Sequence, residues 1–255
     1  LSSGLSIRYN EVYHNIIHMK TLYFVANWKS NKTIQEAITW LQKISNLKSQ
    51  ISNLEESEII VCPSFTLLPS MKAFLEEHQL PIKLGVQDVS PFEEGAYTGA
   101  INTKQAKEFV THAIIGHSER RRLFHETDED VIAKIKQVLA AEITPILCIS
   151  DIAQLDHYLT ESTTLVDNAE KIIFVYEPPG AISGGGAYRA EDPETANQNA
   201  GEIRKKIGKQ VITIYGGSVN PDNRDALFGQ EYIQGGLVGQ ASLDAETFIK
   251  LITNS

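Results

Sequence analysis

The chain lacks most of what would tie it to a membrane, a metal or a nucleic acid. It has only two cysteines, Cys62 and Cys148, in 255 residues. Both sit in apolar runs, EIIVC and TPILCIS, so they are expected to be buried, reduced thiols in a cytoplasmic protein. No CxxC or paired Cys/His spacing predicts a metal site. No apolar stretch approaches the ~18 residues that crossing a bilayer requires. Residues 1–18 contain no continuous apolar segment of the secretory type, and Met19 reads as the start of the domain. The preceding residues are expected to be a poorly ordered extension or added leader. Positive charge is also short: 23 Lys and Arg stand against 32 Asp and Glu, a net charge of −9. That balance excludes a general nucleic-acid binder, since phosphate backbones are held by clustered cations. It leaves room for a small anion, because one lysine and a few backbone N–H groups can hold a phosphate inside an acidic protein.

What is present is a regular beat. Eight short apolar runs, at 22–28, 58–62, 82–87, 112–116, 144–149, 171–176, 210–215 and 235–239, are each followed by a longer, helix-patterned segment. Most are apolar along their whole length, as parallel strands covered on both faces must be. Helix starts are visible as well. Thr33 and Glu36 have capping-box spacing, and Asp192-Pro193 and Pro221-Asp222 suit a first turn. Over 129–141 the spacing puts Val131, Ile135, Val138 and Leu139 on one helical face. No Pro-, Ser- or Gly-rich linker divides the chain. Eight β–α units without a break predict an α/β fold, a single-domain (β/α)₈ barrel over 19–255, ahead of a six-unit doubly wound sheet.

In such a barrel, chemistry gathers where strands end. Strand one ends in Asn27-Trp28-Lys29, strand four in Gly116-His117-Ser118-Glu119-Arg120-Arg121, and strand six in Tyr176-Glu177-Pro178-Pro179-Gly180. Strand seven ends in Tyr215-Gly216-Gly217-Ser218, and strand eight in Gly239-Gln240-Ala241-Ser242. Singly, each has a plain structural reading. A strand-end lysine is commonly a solvated charge, one histidine is commonly a satisfied structural residue, and paired glycines commonly serve a tight turn. A cation, an imidazole, a carboxylate and two glycine-rich turns at the same end of one barrel are hard to obtain from structural needs alone.

The segments NWK, IGHSERR, the YEP loop, YGGSV and GLVGxASL, in that order, resemble the signatures of the triosephosphate isomerase family. The resemblance runs over roughly residues 19–255 and implies a TIM barrel. It also implies a reaction: interconversion of dihydroxyacetone phosphate and glyceraldehyde 3-phosphate by proton transfer through an enediolate. By the same resemblance Glu177 is the base, His117 the electrophile, Lys29 the charge beside phosphate and enediolate, and Asn27 a neutral donor. Gly217, Ser218, Gly239 and Gln240 would offer donors to the phosphate. Ser183 would bind the substrate with them, and the stretch Gly184–Gly186 would act as a closing lid. Glu119 would support this network, with Arg120 and Arg121 structural. The partner implied is a small phosphorylated triose, with no metal or organic cofactor, no nucleic acid and no membrane. A homodimer is expected through the loop 88–101 around Thr98.

The match departs in four places. The lid opens Glu177-Pro178-Pro179-Gly180 where the family has Glu-Pro-Val-Trp, and continues Ile182-Ser183-Gly184-Gly185 where it has Ile-Gly-Thr-Gly. Gln240 stands where a second glycine is usual. Cys148-Ile149-Ser150-Asp151 replaces Cys-Ile-Gly-Glu. Isomerisation of another small sugar phosphate, or a non-catalytic barrel that keeps phosphate binding, are the alternatives these changes leave open.

Overall fold

A computed structural model describes residues 20–47, 57–178 and 190–253. The extension 1–18 and the lid residues Pro179, Gly180, Ser183 and Gly184–Gly186 lie outside these described residues. Eight strands alternate with helices: β1 (Leu22–Asn27), β2 (Ser57–Cys62), β3 (Ile82–Val86), β4 (His112–Ile115), β5 (Thr144–Ile149), β6 (Ile173–Tyr176), β7 (Ile212–Tyr215) and β8 (Gly235–Val238). Every neighbouring pair is parallel, and β8 pairs with β1 through Tyr23↔Gly235 to Ala26↔Val238, closing the barrel. Closure excludes the doubly wound sheet, which would leave two edge strands.

The helices follow from local chemistry. Helix α1 (Ile34–Ser45) opens on the capping box of Thr33 and Glu36, and buries Ala37, Trp40, Leu41 and Ile44. After α2 (Leu68–His78) and α3 (Thr103–Lys107) comes α4 (Ser118–Phe124), with His117 as its N-cap. Helix α5 (Asp128–Ala140) buries Val131, Ile135 and Val138 as its period predicts, but also Lys134. Two short helices, α6 (Ile152–Glu161) and α7 (Thr163–Asp167), fill the segment between β5 and β6. Helix α8 (Pro193–Ile207) starts on the Asp192 cap with proline in its first turn. The Pro221 start is corrected: a turn occupies 221–223, in which Asn220 and Asn223 exchange side-chain-to-backbone bonds, and α9 runs Arg224–Phe228. Helix α10 (Ala245–Thr253) ends the described chain.

Two apolar layers hold this together. The larger packs the outer strand faces against the helices; the smaller contains only strand residues, among them Val25, Ile60, Ile114, Ile146, Val175 and Ile214, and fills the lumen. Trp28, just past β1, stacks edge-on against Trp40 at 5.0 Å between ring centroids, and Trp40 meets Phe248 of α10 at 5.7 Å. The Trp40 indole also donates to the Ser242 carbonyl at 3.1 Å. This aromatic joint seals the barrel where its first and last units meet, and it fixes the chain immediately before Lys29.

Candidate active site

Glu177 sits one residue past β6, its backbone N–H donating to the Ile149 carbonyl of β5 at 2.9 Å. It is 0% exposed. Gly216, just past β7, gives it room: a Cβ there would stand 2.8 Å from Glu177 Cγ. Burial pushes the carboxyl pKa up, against the opposing pull of the His117 ring, the Ser118 N–H, the Lys29 ammonium and the Cys148 thiol. The Ser118 N–H reaches Oε2 at 3.0 Å. An ionised carboxylate with donors but little water is a stronger base than one in solution.

His117 lies against it, with Nε2 3.2 Å from Glu177 Oε1. The other ring nitrogen, Nδ1, accepts the Glu119 N–H at 3.2 Å in the first turn of α4. That bond occupies the Nδ1 lone pair and puts the ring proton on Nε2, so the imidazole presents a donor at the centre of the site. Lys29 enters from the end of β1, its ammonium 2.6 Å from Glu119 Oε1. Glu119 therefore joins Lys29 and His117: its carboxylate holds one and its backbone N–H orients the other. Asn27 Oδ1 accepts the Lys29 N–H at 3.1 Å.

The strand-seven and strand-eight residues occupy the expected loops. Gly239 faces Lys29, since a Cβ at that glycine would lie 3.9 Å from Nζ. Gln240 is exposed and opens a 3₁₀ turn, Gln240–Ser242, without a positive φ, so its side chain is accommodated where a glycine is usual. Gly217 is buried and Ser218 half-buried; the Ser218 carbonyl accepts the Asn223 side chain at 3.0 Å. Lys29, His117 and Glu177 thus form one connected group, with Asn27 and Gly239 beside it. Ser183 falls outside the described residues.

Three contributors were missed by reading strand ends for charged groups. Ser118, next to His117, supplies a donor to Glu177. Cys148, on β5, places a buried thiol near the same carboxylate, and burial together with the Glu177 charge pushes its pKa well up. Gln87, past β3, bonds the Lys29 backbone. Arg120 and Arg121 turn away from the centre. Arg120 pairs with Asp88 at 2.9 Å and Glu126 at 2.7 Å, and Lys134 reaches the same two carboxylates at 2.7 and 2.6 Å. This explains why a lysine is tolerated on the buried face of α5. Arg121 donates to the Gly116 carbonyl, Asp128 and Tyr158.

Known proteins resemble this chain along nearly its whole length. Residues 22–255 match the family model described as triosephosphate isomerase. A curated triosephosphate isomerase from Trichodesmium erythraeum is 41% identical, the match covering 92% of this chain and 99% of the relative. One from Endomicrobium trichonymphae is 35% identical over 93% and 100%. One from Picosynechococcus is 38% identical over 92% and 99%. With the barrel closed and its strand ends so furnished, the chain belongs to the triosephosphate isomerase family.

Proposed function

We propose that the isomerisation of dihydroxyacetone phosphate and glyceraldehyde 3-phosphate is carried here by Glu177 as the base and His117 as the electrophile, with Lys29 as the cation beside the substrate. The contact between a fully buried carboxylate and an imidazole that offers it an N–H carries this reading. The substrate's adjacent oxygens take the place that the two side chains now give each other. His117 Nε2–H then points at the substrate oxygens, and Glu177 stands against the carbon-bound proton. Glu177 removes that proton from one carbon and returns it to the next, while the hydroxyl proton passes from one substrate oxygen to the other at His117 Nε2, and the charge built on oxygen meets the imidazole donor and the Lys29 ammonium. A positioned base contributes about 10²–10⁴-fold and an oxyanion donor about 10²–10³-fold. Asn27 adds its carboxamide donors, and the backbone at Gly217, Ser218, Gly239 and Gln240 receives the phosphate. Ser183 completes the phosphate donors from the lid side.

The active form is a homodimer joined through the loop 88–101. In support, Phe92 and Tyr97 stack at 4.3 Å on that loop while about half exposed, and Thr98 beside them is exposed. Leu123 and Phe124 at the end of α4 are also exposed, at 59% and 65%. Large apolar side chains in such positions are what a partner surface covers. The protein works in the cytoplasm, where the buried free thiols of Cys62 and Cys148 stay reduced. No helix among the described residues is long and apolar enough to cross a membrane.

A coupled turnover assay with both trioses, together with solvent-deuterium incorporation into product, tests the assignment. Wild-type protein is expected to exchange label at the transferred carbon, and Glu177→Gln to lose both turnover and exchange. Full activity in Glu177→Gln would overturn it.

A further inference from the structure

The end of β3 carries a side chain that the reaction as described does not use. Gln87 is half-buried, and its carboxamide nitrogen donates to two backbone carbonyls, those of Lys29 and Cys62, each at 2.9 Å. Both of its N–H groups are thereby used. The Lys29 carbonyl accepts a second bond from Ser64 Oγ at 3.3 Å. Ser64 occupies the N-cap position of the 3₁₀ turn Phe65–Leu67, yet makes no side-chain bond to that turn. Its hydroxyl serves Lys29 instead.

Lys29 needs holding. Its φ is +51°, in the left-handed region that a residue with a Cβ adopts only where its surroundings impose it. Each polar group of its backbone is met by a side chain. Asn27, at the end of β1, takes the N–H, while Ser64 and Gln87, past β2 and β3, supply the carbonyl with donors. The left-handed residue turns the chain so that the ammonium arrives 2.6 Å from Glu119. Relaxation of φ toward the right-handed region would move Nζ by several times the ~0.5 Å tolerance of a working site. The next residue, Asp88, has a different task, pairing with Arg120 and Lys134.

We propose that Gln87 is a positioning residue of this active site: by holding the Lys29 carbonyl it maintains the left-handed turn that aims the ammonium at the phosphorylated substrate. Ser64 is the weaker member of the same clamp. The proposal rests on Lys29 being the substrate's cation, and its test separates the two statements. Gln87→Met keeps the length of the side chain and removes both donors. Its kcat/KM is expected to fall about tenfold, and inorganic phosphate, as a competitive inhibitor, to bind about threefold more weakly. In a Lys29→Ala background the same change is expected to alter kcat/KM less than about twofold, because a residue acting only through Lys29 has nothing left to aim. A merely structural glutamine would cost the same factor in both backgrounds. Equal losses in both backgrounds, or wild-type values for Gln87→Met, overturn the proposal while leaving the role of Lys29 intact. Full activity in Lys29→Ala removes the role of Lys29 and the proposal with it. Should Gln87→Met fail to fold, Ser64→Ala carries the same cycle, with an expected loss of about twofold that vanishes without Lys29. A loss that persists there is the contradicting result.

Discussion

The two mouths of the barrel hold the same three kinds of side chain and do opposite things with them. At the C-terminal mouth stand Glu177, His117 and Lys29. Near the N-terminal ends of β2, β3 and β4 stand Glu58, Lys83 and His112, with Glu58 Oε1 3.0 Å from the imidazole and Oε2 2.8 Å from the ammonium. The first carboxyl is pushed above its ordinary value by burial. The second is pulled down to about 2, because its bonds to His112 and Lys83 together outweigh its burial. Residue type therefore does not make a base; the balance of desolvation against pairing does. Glu58 has a cation or imidazole on each oxygen and remains ionised and inert. Glu177 is fully buried, its nearest ammonium engaged with another carboxylate. The lower cluster reads as fold stability and the upper as chemistry, in line with the usual division of labour in such barrels.

The largest effect that would sharpen this contrast is the loss of activity in Glu177→Gln. We expect kcat to fall by about 10³–10⁴-fold, with thermal stability unchanged or raised, since a desolvated charge is removed. His117→Asn is expected to cost about 10²–10³-fold in kcat with a smaller change in KM. Glu58→Gln should show the reverse pattern. Unfolding in urea is expected to reveal a loss of roughly 1–3 kcal/mol, with kcat/KM within about twofold of wild type. Equal damage to activity from Glu58→Gln would break the comparison.

The pH dependences should also part. The folded-state pKa of Glu58 lies below its ordinary 4.5, so its contribution to stability is complete above that value and is lost as pH falls toward about 2. Glu177 is raised instead, so activity, which in the proposed mechanism needs its ionised carboxylate, is expected to fall on the acid side at a pH above 4.5 while the protein is still folded. Log kcat/KM against pH, set beside urea midpoints over the same range, checks both. The smallest expected effect is that of Gln240→Gly, within about threefold in kcat/KM, because the backbone donor stays and the side chain is already accommodated.

Much of this was legible in the sequence. All eight strands fall within two residues of their expected bounds, because uninterrupted apolar runs between polar helices can be satisfied only in a parallel sheet covered on both faces. The boundary at Pro221 was misplaced because a proline suits a turn as well as a first helical residue, and paired asparagines settled it as a turn. Lys134 could not be foreseen on a buried face, since its two carboxylates come from Asp88 and Glu126, distant or offset in sequence. At the site, charged groups at strand ends stood out, whereas Gln87 and Ser64 did not. Their work is done on a backbone carbonyl of another loop, and no local spacing encodes such a bond. The lower cluster was equally hidden, its members lying inside runs that read simply as strands.

The account turns on the two carboxyls having opposite environments. Carbon-13 labelling of the glutamate side chains, with Glu177→Gln and Glu58→Gln to assign the signals, allows both to be titrated by NMR in the folded protein. The account predicts a midpoint above 4.5 for Glu177 and one near 2 for Glu58. A Glu177 that titrates below 4.5, or a Glu58 that titrates above it, would contradict the assignment of the base by its desolvation.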